Sequence, residues 1–246
     1  MDSAVEVDEQ GRNNENFDHV QATSELKDKV VFQNTLGMAF VKVPDMDVLW
    51  SKYETTVSVY RAFTESTSSS WHPPSTFKTA GDHPVVNVSW EDAVRFSLWL
   101  TRRDREEGVI HEEQFYRLPY SKEWTRASGI IKPQNPESLD RWKETMKAFQ
   151  VHVADKSAMN LSDTRKVFYP WGTVWPPPPQ SGNYDPGLQV DTYPHTSPVG
   201  SFLPNQYGIY DMGGNVWEWC IDPFKGSKDF RTLRGAAWNM RSASVL

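Results

Sequence analysis

From Tyr169 onward, proline and glycine interrupt this chain every few residues. Pro176 to Pro179 form a four-proline run, and Gly182, Pro186, Pro194, Pro198, Gly200, Pro204 and Gly208 follow. Proline removes a backbone donor and fixes φ, while glycine weakens helix and strand interiors, so neither a long helix nor a long central strand fits here. This half is expected to be loops with short strands, held by something other than regular secondary structure. The 11 tryptophans of the 246 residues are far more than a disordered or fibrous chain carries.

The first part of the chain reads differently. Residues 1–29 are acidic and polar, with Gly11, Asn13 and Asn14, and predict a mobile tail. Phe40 to Val43 and Val48 to Tyr53 are short β-branched or aromatic runs around Pro44-Asp45-Met46-Asp47, which predicts a strand, a turn and a strand. Thr55 or Thr56 is placed to cap a helix over 57–65. Ser89 stands three residues before Asp92, a near capping box, and Ala93, Phe96, Ser97 and Leu100 then recur at helical spacing. A helix over 90–106 follows. After Arg117-Leu118-Pro119, Ser121 is placed to cap a shorter helix over 121–128, with Glu123 favouring its positive end. Within 131–168, Leu139, Trp142, Met146 and Phe149 recur at three and four, which predicts an amphipathic helix on a surface insertion. There are no internal repeats. The reading is one domain of mixed α+β type over 30–246.

Composition narrows the function classes. A net charge of -6 gives no electrostatic footprint for nucleic acid. No run of about 18 apolar residues occurs, which excludes a transmembrane helix. Met1 is followed by Asp2, Glu6, Asp8 and Glu9 rather than a basic and then apolar segment, so the expectation is a cytoplasmic protein by default. The single cysteine, Cys220, allows neither an intrachain disulfide nor a cysteine-built zinc site.

Several ordered segments resemble one family. They are His83-Pro84-Val85-Val86-Asn87-Val88-Ser89-Trp90-Glu91-Asp92-Ala93, Arg117-Leu118-Pro119 with Glu123-Trp124, and Tyr169-Pro170-Trp171-Gly172. Pro198-Val199-Gly200-Ser201-Phe202 with Asn205, Tyr207-Gly208-Ile209-Tyr210-Asp211-Met212, Gly214-Asn215-Val216-Trp217-Glu218-Trp219, and Leu233-Arg234-Gly235 with Trp238 complete them. Together they are similar to the signature blocks of the formylglycine-generating enzymes, the sulfatase-modifying factors. The resemblance implies a variant of the C-type lectin fold, with two to three helices, a small twisted antiparallel sheet and long packed loops. It also implies an oxidoreductase chemistry in which copper, held by two cysteines near the C-terminus, and oxygen convert a sulfatase cysteine to formylglycine. Met240-Arg241-Ser242-Ala243-Ser244 stands where those cysteines are expected, so copper is not expected in this chain. The six histidines have no close ligand spacing, which sets aside the iron-dependent sulfoxide-forming relatives.

Matched onto the family pattern, Asn183 and Asp191, with the carbonyls of Tyr184 and Tyr193, form one calcium site. Asp211 and Glu218, with the carbonyls of Gly214 and Val216, form another. These are hard oxygen donors of the kind calcium takes. The plainer alternative is that they are turn-forming residues bonding their own backbone. Trp217 and Trp219 are expected in the core rather than as a binding platform, Cys220 as a buried inert thiol, and Arg117 with Glu123 as a structural ion pair rather than an acid–base couple. The stretch Trp171–Pro179 is either a polyproline ligand or a rigid surface tether. The function expected is a calcium-stabilised, non-catalytic module that binds a protein or small-molecule ligand on its loop face, with no nucleic-acid or membrane partner. The alternative is a formylglycine-generating oxidoreductase whose catalytic segment lies outside these residues.

Overall fold

A computed structural model describes residues 30–130, 169–172 and 174–242. The predicted tail over 1–29, the insertion over 131–168 with its helix, and the last four residues lie outside them. In order, the elements are β1 (Val30–Gln33), β2 (Ala39–Lys42), β3 (Leu49–Ser51), α1 (Val57–Thr67), α2 (Trp90–Glu106), α3 (Ser121–Ala127), β4 (Glu218–Pro223) and β5 (Arg231–Arg234). Short 3-10 turns occupy Pro186–Leu188 and Phe224–Gly226. After Tyr169 the described residues hold only these two strands and two turns, as the spacing of prolines and glycines predicts.

β1, β2 and β3 form an antiparallel sheet in that order, with Val41 opposite Trp50 and Lys42 opposite Leu49. The predicted strand–turn–strand is therefore present. β1 is an addition to it, and its hairpin is shaped by Asn34, whose Oδ1 accepts from Leu36 N at 3.0 Å and Met38 N at 2.9 Å. β4 and β5 pair antiparallel as a separate two-stranded sheet, Trp219 opposite Leu233.

The helices begin where capping chemistry puts them. Thr56 Oγ1 accepts from Val59 N at the start of α1. Ser89 Oγ accepts from Asp92 N at 3.1 Å, and Asp92 Oδ2 accepts from Ser89 N at 3.1 Å, which satisfies two otherwise orphaned donors at α2. At α3 the expected serine cap is corrected. Tyr120 occupies the cap position and Ser121 is the first helical residue. The Ser121 hydroxyl is committed elsewhere, accepting from Arg234 Nη2 at 2.6 Å, while Glu123 Oε2 accepts from Tyr120 N at 2.8 Å.

Three buried clusters hold the fold. Tyr60 and Phe63 of α1 meet Phe96 and Leu100 of α2, and each ring or leucine buried this way contributes on the order of 1.5–3 kcal/mol before entropy is counted. Val41, Val43 and Met46 meet Trp124 and Ala127 of α3 and, from the loop half, Ile209, Met212 and Cys220. The third cluster lies within the loop half: Tyr184, Val190 and Ala236, flanked by Trp171, Leu188, Trp217 and Met240. Two indoles then clasp the halves together. Trp90 Nε1 donates to Cys220 O at 3.0 Å, and Trp219 Nε1 donates to Val88 O at 3.1 Å, so the start of α2 and strand β4 exchange bonds across some 130 positions of sequence.

Candidate metal centre

The loop from Asn183 to Tyr193 doubles back through the 3-10 turn, whose cap is Asp185 Oδ1 accepting from Gly187 N at 2.7 Å. Its two ends are drawn together by Asp191, which accepts from Tyr184 N through Oδ2 and from Tyr193 N through Oδ1, both at 2.8 Å. All four residues of the first expected site are thus neighbours, and Asp191 does behave as a turn former. Each of its oxygens retains a further lone pair. Asn183 is fully buried. Its Nδ2 donates to His195 O at 2.7 Å and to Asn215 Oδ1 at 3.2 Å, while its Oδ1 has no hydrogen-bond partner.

The second expected site lies in the turn leading to β4. Asp211, Gly214 and Asn215 all have left-handed backbone, with φ of 56°, 88° and 57°. Gly214 is required: a Cβ there would stand 2.4 Å from Asn183 O, and the residue already sits at positive φ. Asp211 Oδ2 accepts from Gly200 N at 2.7 Å, whereas its Oδ1 is buried without a partner. Glu218 Oε2 accepts from Trp124 Nε1 at 2.7 Å. Among the described residues, no loop or turn amide donates to the carbonyls of Tyr184, Tyr193, Gly214 or Val216.

Two residues at this centre escaped the sequence reading. Asn215 Nδ2 donates to Glu54 Oε2 at 2.7 Å, and Val216 N donates to Glu54 Oε1 at 3.2 Å. Glu54 lies between β3 and α1, about 160 positions away in sequence. Its only signal is an acidic residue closing the strand-like run Val48 to Tyr53. Asn215 stands inside the Gly-Gly-Asn-Val-Trp-Glu block but reads as an ordinary turn asparagine.

Three carboxyl groups therefore face one interior region. Loss of water is the main cause that raises Asp211 to about 6 and Glu218 to about 8, with the Asp211 charge adding to the rise at Glu218. Glu54 is raised well above the carboxylate range by burial first and by Asp211 and Glu218 second. Glu54 and Glu218 are half-buried as whole residues, but their carboxyl ends are enclosed.

Among the described residues, no three histidine, cysteine, aspartate or glutamate side chains converge as ligands of one metal ion. A cation here must draw on amide and carbonyl oxygens beside single carboxylates, which is a hard-ion donor set. The orphaned Asn183 Oδ1 and Asp211 Oδ1, one at each expected site, fit that requirement. A buried acceptor left without a donor costs about 1–3 kcal/mol, and a cation would remove that cost at both loops.

The sulfatase-modifying factor enzyme 1-like domain family matches residues 21–245. The chain belongs to this family. It is 30% identical over 152 residues to the formylglycine-generating enzyme of Thermomonospora curvata, covering 61% of this chain and 37% of that protein. It is also 30% identical over 173 residues to the inactive C-alpha-formylglycine-generating enzyme 2 of Bos taurus, covering 68% of this chain and 42% of that protein. The chain thus spans less than half the length of these relatives. The structure of PvdO from Pseudomonas aeruginosa aligns over 85% of both chains with a TM-score of 0.52 and 18% identity, a likeness of fold alone. The α+β, C-type-lectin-like fold expected of a sulfatase-modifying-factor domain is the one observed.

The remaining expected residues fall as follows. Cys220 is fully buried and its thiol is pushed up to about 12, chiefly by burial. Arg117 and Glu123 form a two-pronged pair with both contacts at 2.7 Å, which holds Glu123 below its ordinary value. Trp217 precedes β4 and joins the third cluster, whereas Trp219 turns to Val88, so both are half-buried packing residues. Among the described residues no helix is long and apolar enough to cross a membrane.

Proposed function

We propose that this sulfatase-modifying-factor domain is a calcium-organised, non-catalytic module that binds a protein or small-molecule ligand. The observation that carries the calcium part is that one expected ligand oxygen of each loop, Asn183 Oδ1 in the first and Asp211 Oδ1 in the second, is buried without a hydrogen-bond partner. Asn183, Asp191 and the carbonyls of Tyr184 and Tyr193 would hold one ion. Asp211, Glu218 and the carbonyls of Gly214 and Val216 would hold the other. Calcium bound there supplies positive charge and coordination to loops with little regular structure, and no bond-making step is assigned to it.

The non-catalytic part rests on Cys220. It is the only cysteine of the 246 residues, it is buried, and its thiol resists ionisation, so these residues supply no thiolate pair for a soft copper ion. Ligand binding is supported by a cavity of about 800 Å³ between the three-stranded sheet, α2 and β4, with Trp50, Phe96, Tyr116, Trp219, Glu54 and Glu218 among its walls.

Two measurements test the reading. Calorimetric titration of the chelator-treated chain with calcium should give two ions bound per chain, and no uptake by folded protein would remove the calcium assignment. Incubation with copper, oxygen and a cysteine-containing sulfatase peptide should leave the peptide mass unchanged. Conversion of the cysteine to an aldehyde would instead establish the oxidoreductase reading.

A further inference from the structure

The two candidate cation loops share a buried side-chain bridge. Asn183, an expected ligand of the first loop, donates through Nδ2 to Asn215 Oδ1 at 3.2 Å, and Asn215 lies in the turn that carries the second loop. The same Asn215 Oδ1 accepts from Ser197 N at 2.9 Å, and its Nδ2 donates to Glu54 Oε2 at 2.7 Å. Glu54 Oε1 accepts from the amide of Val216, whose carbonyl is an expected ligand of the second loop. A backbone bond runs parallel to this chain, from Asn215 N to Asn183 O at 2.8 Å.

Burial makes the bridge directional. Asn183 and Asn215 are both 0% exposed, so water cannot stand in for a lost amide partner. The Asn183 amide is held with Nδ2 between His195 O and Asn215 Oδ1, and that leaves Oδ1 as its partnerless end. Any movement of the 211–218 turn that shifts Asn215 removes one of the two acceptors fixing this orientation. In the other direction, an ion engaging Asn183 Oδ1 locks the amide, locks Asn215 through it, and thereby holds Glu54 against Val216.

We propose that Asn215 and Glu54 couple the two loops, so that a cation bound at either one raises the affinity of the other. The coupling rests on the calcium reading above. Asn215 and Glu54 are positioning residues in it rather than ligands. Because binding linkage is reciprocal, the factor by which the first ion helps the second equals the factor by which the second helps the first. A change confined to one loop must therefore be felt at the other by the same ratio.

The test is calorimetric titration of the full 246-residue chain with calcium after chelator treatment. Asp211→Asn disables the second loop and Asp191→Asn the first. Each is expected to weaken the surviving site by roughly fivefold or more, and by matching factors. Asn215→Gly tolerates the left-handed backbone while removing the bridge. In that background the surviving site should change by less than about twofold when the other loop is disabled. Glu54→Gln, nearly the same size, should shrink the factor too, and it decides the matter if circular dichroism shows Asn215→Gly to be unfolded. Two ions binding with affinities indifferent to each other, or a single ion, would overturn the coupling and leave calcium binding in place. A factor undiminished in both bridge variants would overturn the role of Asn215 and Glu54. No uptake at all by folded wild-type chain would withdraw the calcium reading and the coupling with it.

Discussion

Replacing Asp211 by asparagine should stabilise the calcium-free protein, and saturating calcium should cancel most of that advantage. The substitution keeps size, keeps an oxygen for Gly200 N and suits the left-handed backbone at this position, so its main effect is on charge. Burial raises Asp211 from its ordinary 3.8 to about 6. At about 1.4 kcal/mol per tenfold in proton affinity, ionising it inside the fold costs up to about 3 kcal/mol more than in the unfolded chain. A carboxyl raised in this way contributes stability below pH 3.8 that is lost as pH rises through 6, and Glu218, raised to about 8, extends the loss upward. At pH 8 in chelator, Asp211→Asn should therefore melt above wild type. For a chain of this size the gap is at most about 6–12 °C, at roughly 2–4 °C per kcal/mol. At pH 4 it should nearly vanish. Calcium at a hundred times its dissociation constant returns about 2.7 kcal/mol per site, or roughly 5–11 °C, to wild type. The variant should lose the increment from the second site. The assay is scanning fluorimetry across pH 4–8 with and without calcium, and equal calcium increments in the two proteins would falsify the assignment of Asp211 as a ligand.

Other outcomes follow from single contacts. Gly214→Ala drives a Cβ to within 2.4 Å of Asn183 O at a positive φ, and should cost about 1–3 kcal/mol in urea unfolding; an unchanged midpoint would show that the turn relaxes freely. Ser89→Ala removes one half of the capping box of α2 and should cost about 0.5–2 kcal/mol in the same experiment, with Ser89→Gly costing less. Cys220 should react with a thiol reagent at pH 8 only after denaturant is added, since the buried thiol is pushed up to about 12; rapid labelling of native protein would contradict its placement.

The parts of this domain legible in the sequence are those where chemistry is local. Ser89 and Asp92 announce α2 because a cap and its reciprocal partner lie three residues apart. Pro44 to Asp47 announce the β2–β3 turn for the same reason. The Ser121 cap misled because its hydroxyl answers to Arg234, which is 113 positions away. Glu54 was invisible on similar grounds: its partners Asn215 and Val216 are brought to it by the fold alone. The expected ligands Asn183, Tyr184, Asp191 and Tyr193 could be matched to a family pattern, but only coordinates reveal that Asn183 Oδ1 and Asp211 Oδ1 are left without donors.

The reciprocal tryptophan clasp bears on the order of events during synthesis. Val88 and Trp90 leave the ribosome long before Cys220 and Trp219 exist to meet them, so neither bond can form until β4 emerges. The helical pair α1–α2 can bury Tyr60, Phe63, Phe96 and Leu100 on its own beforehand, using contacts of short separation. The clasp, which closes a loop of some 130 residues, is expected to form after the rate-limiting step of folding. Trp219→Phe, which keeps the ring and deletes the donor, should then speed unfolding while leaving the refolding rate almost unchanged. A stopped-flow chevron displaced mainly on its refolding arm would place the clasp among the earliest contacts instead.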